Sequence, residues 1–125
     1  MTLTATEVAD YLDSRADYYG GTAADMLQLT PVELWDSPSE LMEFWESKDL
    51  SHVFPQSTHP ELADVWTNIV PEDPGPNRAR GAQVMTDQEI LDADIDAQLD
   101  ADIIDSTYTD DSPEFLSELI EEVLL

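Results

Sequence analysis

Residues 48–85 read KDLSHVFPQSTHPELADVWTNIVPEDPGPNRARGAQVM, and the order of residue types in this stretch decides how the chain is read. A short extended run covers Asp49–Phe54. A loop from Pro55 to Val65 follows, carrying the polar run QSTHPE. Trp66–Val70 is a second extended run. Pro71, Pro74, Gly75 and Pro76 then break regular structure, and a helix begins at about Pro76 with Asn77 and Arg78 in its first turn. The stretch predicts strand, loop, strand, helix.

Three polar side chains recur at the joints of that plan. His52 follows the first strand, Asn68 lies 16 residues on and opens or sits within the second, and Asn77 lies nine beyond Asn68 at the helix start. Hydrolysing a phosphodiester with one metal needs a general base beside the attacking water. It also needs oxygen ligands for a divalent cation and cationic or amide groups on the phosphate. A strand–loop–strand–helix unit brings such parts together within about 35 residues, and His, Asn and Arg are suitable types.

In SHVFPQS (51–57), NIV (68–70) and NRARG (77–81) the segment resembles the HNH, or ββα-metal, endonucleases. The likeness is greatest to the HNH domain of RNA-guided CRISPR effector nucleases, and it covers 38 of 125 residues. The resemblance implies a ββα-metal unit that cleaves DNA. It implies a catalytic set of His52 as general base and Asn68, which orients His52 or braces the loop. It implies Asn77 as a metal ligand through its amide oxygen and Arg78, with Arg80, as phosphate contacts. The implied ion is Mg²⁺ or Mn²⁺, hard cations suited to oxygen donors. The family carries Asp immediately before the catalytic His; here that position is Ser51, a neutral and weaker donor. Asp49, on the same side of the strand as Ser51 by alternation, joins the candidate ligands, and Glu72 and Asp73 lie in the following loop. His59 is a further candidate in the loop. Arg78 and Arg80 pairing with nearby acids is the competing explanation for those two residues.

Charge sets this segment apart. The chain carries 29 acidic residues against four basic ones, a net charge of -25. Residues 1–47 hold -9, residues 86–125 hold -14, and residues 48–85 hold only -2, with Lys48, Arg78 and Arg80 among them. Two explanations of the acidity compete. In molar salt, where the Debye length is about 3 Å, self-repulsion is screened, so a halophile or one of its viruses is a natural source. Alternatively, a polyanion-like surface occupies the basic groove of a DNA-binding protein. The concentration of cations in one segment favours phosphate contact there.

The flanks read as helices. Thr4-Ala-Thr-Glu7 is a capping box ahead of Val8, Tyr11 and Leu12, predicting a helix over 6–19 that Gly20-Gly21 closes. Thr30-Pro-Val-Glu33 and Ser37-Pro-Ser-Glu40 open two short helices, the second placing Leu41, Phe44 and Trp45 on one face. Thr86-Asp-Gln-Glu89 caps another, along which Ile90, Leu91, Ile95, Leu99 and Ile103 recur at near-helical spacing, so the run LDADIDAQLDADIID is read as a packed helix with a solvated acidic face. Ser112-Pro113 opens the last, through Phe115, Leu116, Leu119, Ile120 and Val123. Trp35, Trp45 and Trp66 are assigned to the core.

The expectation is one α+β domain over 1–125: a helical part over 1–47, the HNH-like ββα unit over 48–85 and an acidic helical part over 86–125. The absence of cysteine excludes disulfides and thiolate metal sites. No apolar run approaches the roughly 20 residues that span a bilayer, so no membrane partner is expected and the location is the cytoplasm, or the host cytoplasm or virion for a viral protein. The functional expectation is a metal-dependent DNA endonuclease or a degenerate relative. The alternative is a non-catalytic acidic protein on the same scaffold, such as a DNA mimic, decoy or assembly component, whose acidic C-terminal part binds a basic or DNA-binding protein.

Overall fold

The computed structural model describes residues 3–125 and is mixed α+β, mostly helical, with six α-helices and one two-stranded antiparallel sheet among those residues. In chain order they are α1 (Ala5–Asp17), α2 (Ala23–Leu29), α3 (Pro38–Glu46), β1 (Asp49–His52), β2 (Ile69–Glu72), α4 (Pro74–Arg80), α5 (Asp87–Thr107) and α6 (Pro113–Leu124). Short 3₁₀ turns fall at Val32–Leu34, Pro60–Leu62 and Trp66–Asn68.

Capping explains most helix starts. Thr4 with Glu7, Thr22 with Asp25 and Thr86 with Glu89 form reciprocal capping boxes on α1, α2 and α5, each cap contributing about 1 kcal/mol. The α2 helix was not expected from the sequence: at seven residues it is too short to show a period. The second strand starts three residues later than expected and ends two later. Trp66–Asn68 forms a 3₁₀ turn and β2 runs to Glu72, Pro71 being tolerated because the sheet has only edge strands. Helix α4 begins at Pro74, two residues before the expected Pro76.

The core lies between α1, α2, α3, α5 and α6. Val8, Leu12, Met26, Leu27, Leu41, Phe44, Trp45 and Leu119 are fully enclosed, and Leu50 and Ile69 bring the sheet to it. Trp45 fills the centre and donates its indole N–H to Thr30 Oγ1 at 2.8 Å. Trp35 and Trp66 pack at the margin.

Helix α5 is seated differently from its apolar spacing. The buried stripe is Ala93, Ala97, Ala101 and Ile104, whereas Leu91, Ile95, Leu99 and Ile103 are 50, 47, 56 and 64% exposed. Residues two apart on a helix point about 200° apart, so the two stripes lie on nearly opposite faces. The alanines win the interior because their small side chains let α5 lie close against α3 and β2.

Gly20 and Gly21 do more than end a helix. Gly20 has φ +80°, and a Cβ there would stand 1.8 Å from the Asp64 carbonyl oxygen. A Cβ on Gly21 would meet the Trp66 ring at 2.3 Å. The chain after α1 therefore presses directly on the β1–β2 loop, which only glycine permits.

Candidate functional site: the β1–β2–α4 unit

Strands β1 and β2 pair with Asp49 opposite Glu72, Leu50 opposite Pro71, Ser51 opposite Val70 and His52 opposite Ile69. Alternation sends Leu50 into the core and Asp49 and Ser51 toward α4. Helix α4 follows β2 after one residue, so Asn77 and Arg80, one turn apart, face the sheet.

Ser51 and Arg80 meet through Glu72. The Ser51 hydroxyl donates to Glu72 Oε1 at 2.9 Å. Arg80 grips the same carboxylate with both arms, Nη1 donating to Oε2 at 2.9 Å and Nη2 to Oε1. Nη1 also reaches Glu89 at the start of α5, at 3.3 Å. Ser51, Glu72 and Arg80 are all buried. Hydrogen bonding to Glu72 and then to Glu89 outweighs burial and holds the Arg80 guanidinium above its ordinary pKa. A planar fork on a buried carboxylate is a strong arrangement, and it commits both Nη groups of Arg80 to carboxylates. Arg78, the other expected phosphate contact, is exposed on α4.

Asp49 and Asn77 form the second pair, with Asn77 Nδ2 donating to Asp49 Oδ2 at 3.0 Å. That orientation leaves the amide oxygen of Asn77 unbonded among the described residues. As a metal site of the expected kind the set offers one carboxylate and one amide oxygen, since Ser51 is committed to Glu72. Waters and substrate oxygens would have to fill the other positions around Mg²⁺ or Mn²⁺.

The imidazole of His52 turns away from both pairs. Its Nε2 lies 2.8 Å from the Ala63 carbonyl oxygen, and its ring packs 5.4 Å from that of Tyr19. A carbonyl only accepts, so Nε2 carries a proton. His52 nonetheless borders, with Asn77 and Arg80, an open cavity of about 240 Å³ whose far wall is Pro55, Gln56 and Ser57. Asn68 is buried behind this wall. Its Oδ1 accepts from Phe54 N at 2.8 Å, and its Nδ2 donates to Phe54 O at 3.0 Å and Leu62 O at 3.3 Å. Asn68 thus ties the loop to its own strand. His59 packs on Phe54 and shares a hydrogen with Thr58.

The cations explain their own placement. Lys48 sits with its ammonium between Asp73 and Asp100, at 2.7 Å from the first; burial lowers its pKa, the two carboxylates outweigh that, and the net shift is upward. Arg15 donates to Tyr11 Oη, Trp45 O and Lys48 O. Three of the four basic side chains therefore serve internal contacts, and two of the three cations clustered in residues 48–85, Lys48 and Arg80, bind the sheet region to α5.

A separate carboxylate group, which sequence reasoning did not single out, is close enough to hold one metal ion: oxygens of Asp36, Glu40 and Asp111 lie within 4.8 Å of one another. By sequence Ser37-Pro-Ser-Glu40 is an ordinary helix start, and Asp111 is 75 residues from Asp36, so no local spacing exposes the grouping. Compared with known proteins, the chain matches no family model, no curated protein and no solved structure.

Proposed function

We propose that this chain is a non-catalytic acidic binding protein built on an HNH-like ββα unit, and that the outer face of α5 receives a cationic amphipathic helix of a partner protein. The observation that carries this reading is the exposed ladder Leu91, Ile95, Leu99 and Ile103 on α5. Four large apolar side chains in a row on one exposed helix face form a contiguous patch, and such patches mark contact surfaces. A groove of about 480 Å³ touches the ladder at its Leu91 end, lined also by Leu29, Pro31, Val70, Ile90 and Ala93, and gives an apolar anchor somewhere to enter. Exposed Asp92, Asp94, Asp96 and Asp102 flank the ladder. With -14 on residues 86–125, a second copy of this chain is repelled and a lysine- or arginine-rich partner is attracted. The occupied forks of Glu72 and Arg80 support the loss of cleavage chemistry.

A second reading, a metal-dependent endonuclease, is favoured by the cavity that His52 shares with Asn77. One pair of measurements separates the two. Titration with a Lys/Leu amphipathic helical peptide should give saturable binding that the double variant Ile95→Ser/Leu99→Ser loses at unchanged Tm, and a scrambled peptide of equal charge should bind more weakly. Equal binding of both peptides, or binding unaffected by the double variant, overturns the docking reading. Plasmid incubated with Mg²⁺ or Mn²⁺ across low and molar salt should remain uncut; cleavage that His52→Ala abolishes would establish the nuclease instead.

A further inference from the structure

The N-terminus of α3 differs from those of α1, α2 and α5. In those three the acid at the third helical position turns back onto the capping backbone N–H. In α3, Ser37 caps Glu40 N at 3.2 Å, but the Ser37 N–H is already donated to Leu34 O, and the Glu40 side chain does not return. It points instead into the interior. Glu40 has no exposed surface, and neither of its carboxylate oxygens receives a hydrogen bond; Asp36 Oδ1 is likewise buried and unpartnered.

What surrounds Glu40 is more negative charge. Asp36 precedes the cap, Asp105 comes from the last turns of α5, and Asp111 comes from the α5–α6 connection. Burial, then the neighbouring Asp105, pushes the Glu40 carboxyl up to about 8; burial, then Asp111, raises Asp36 as well. Asp110, also in the connection, receives the Ser37 hydroxyl. Among the described residues no basic side chain pairs with these acids: Arg15, Lys48 and Arg80 are held in the contacts described above, and Arg78 lies on α4. Ionised without a counter-charge, these enclosed carboxylates would cost several kcal/mol per ion.

We propose that Asp36, Glu40 and Asp111, with Asp105 beside them, bind a hard divalent cation that fastens the α5–α6 connection to the start of α3. All donors are oxygens, which selects a hard ion. Three to four carboxylates favour Ca²⁺, which accepts six to eight oxygens at about 2.3–2.6 Å, over Mg²⁺, which keeps most of its water. A spread of up to 4.8 Å between donor oxygens suits the Ca²⁺ distance. Asp111 is exposed, so the site has an entrance from solvent. The site is independent of the β1–β2–α4 unit and of the α5 docking face.

The test is a melting curve and a calorimetric titration of the full chain after chelator treatment, with Ca²⁺ and Mg²⁺ added at ionic strength held constant by KCl. Ca²⁺ should raise Tm saturably with one equivalent bound, and more than Mg²⁺. Asp111→Asn, an exposed change that leaves the fold intact, should weaken binding by about tenfold or more, and Glu40→Gln should remove the Tm rise. Asp92→Asn, on the far side of the same acidic surface, should bind as the wild type does. No rise with either ion, or a rise equal in wild type and Asp111→Asn, would overturn the site and leave a proton shared between Glu40 and Asp105 as the account of the buried charge. A larger rise with Mg²⁺ would overturn the choice of Ca²⁺.

Discussion

Lys48 and Asp100 stand 52 positions apart in the chain and meet as an ion pair between the start of β1 and the middle of α5. The ammonium is enclosed, its side chain 1% exposed, while Asp100 and Asp73 keep 39% and 40% of theirs in water. The asymmetry predicts unequal mutations. Lys48→Met leaves two carboxylates facing each other and should cost about 1–3 kcal/mol of unfolding free energy; Asp100→Asn should cost less, because Asp73 still holds the ammonium. Urea denaturation at moderate salt measures both, and equal losses would contradict the geometry.

The fork of Arg80 on Glu72 should be far more costly to break than to replace. Removing Arg80 alone by Arg80→Leu strands a buried carboxylate and should cost about 3–5 kcal/mol. Adding Glu72→Leu to that variant should restore much of the loss, since a buried pair exchanged for apolar side chains is often near neutral. A double-mutant cycle read by thermal unfolding checks this; additive losses would show that the pair is not coupled.

Glu89 supplies a pH signature. Its hydrogen bond from Thr86 N, with Arg80 adding to it, holds its pKa below the ordinary 4.5. A carboxyl depressed in the folded state adds stability above its unfolded pKa and loses it as pH falls through the folded value. The Tm difference between wild type and Glu89→Gln should therefore be constant near neutrality, shrink below about pH 4.5 and vanish at lower pH. A difference that grows on acidification would refute this assignment.

Gly20→Ala combines a left-handed backbone with a Cβ driven 1.8 Å from the Asp64 carbonyl oxygen. It should cost more than about 1 kcal/mol and loosen the β1–β2 loop, readable as faster amide exchange at Phe54 and Asn68. A neutral Gly20→Ala would mean that the loop does not depend on this contact.

The sequence made some levels of this molecule plain and hid others. The starts of α1, α3 and α5 were legible from a Thr or Ser three residues ahead of an acid, because a cap is a local chemical event, but the same signal at Thr22 and Asp25 was passed over before the short α2. The succession of two strands and a helix over residues 49–80 was legible because Pro and Gly punctuate it. The orientation of α5 was not. Its sequence offers two apolar stripes on opposite faces, Ala93-Ala97-Ala101 and Leu91-Ile95-Leu99-Ile103, and periodicity cannot tell which the rest of the fold will cover. The partners of Ser51, Lys48 and Arg80 were hidden for a related reason. Residue type announces a hydroxyl or a cation, but whether it meets phosphate, metal or a carboxylate 52 positions away depends on tertiary contacts that no spacing encodes. Glu40 was masked by its place in an ordinary cap motif.

The contacts of Gly21 with Trp66, Lys48 with Asp100 and Arg80 with Glu89 all cross from the β1–β2–α4 unit into its flanks. The unit is thus not portable. Cut out as a fragment, residues 48–85 would keep every letter that resembles a nuclease motif and lose the counter-charges and packing surfaces that shape it, and a graft into another host would have to import α1, α5 and their acids along with it.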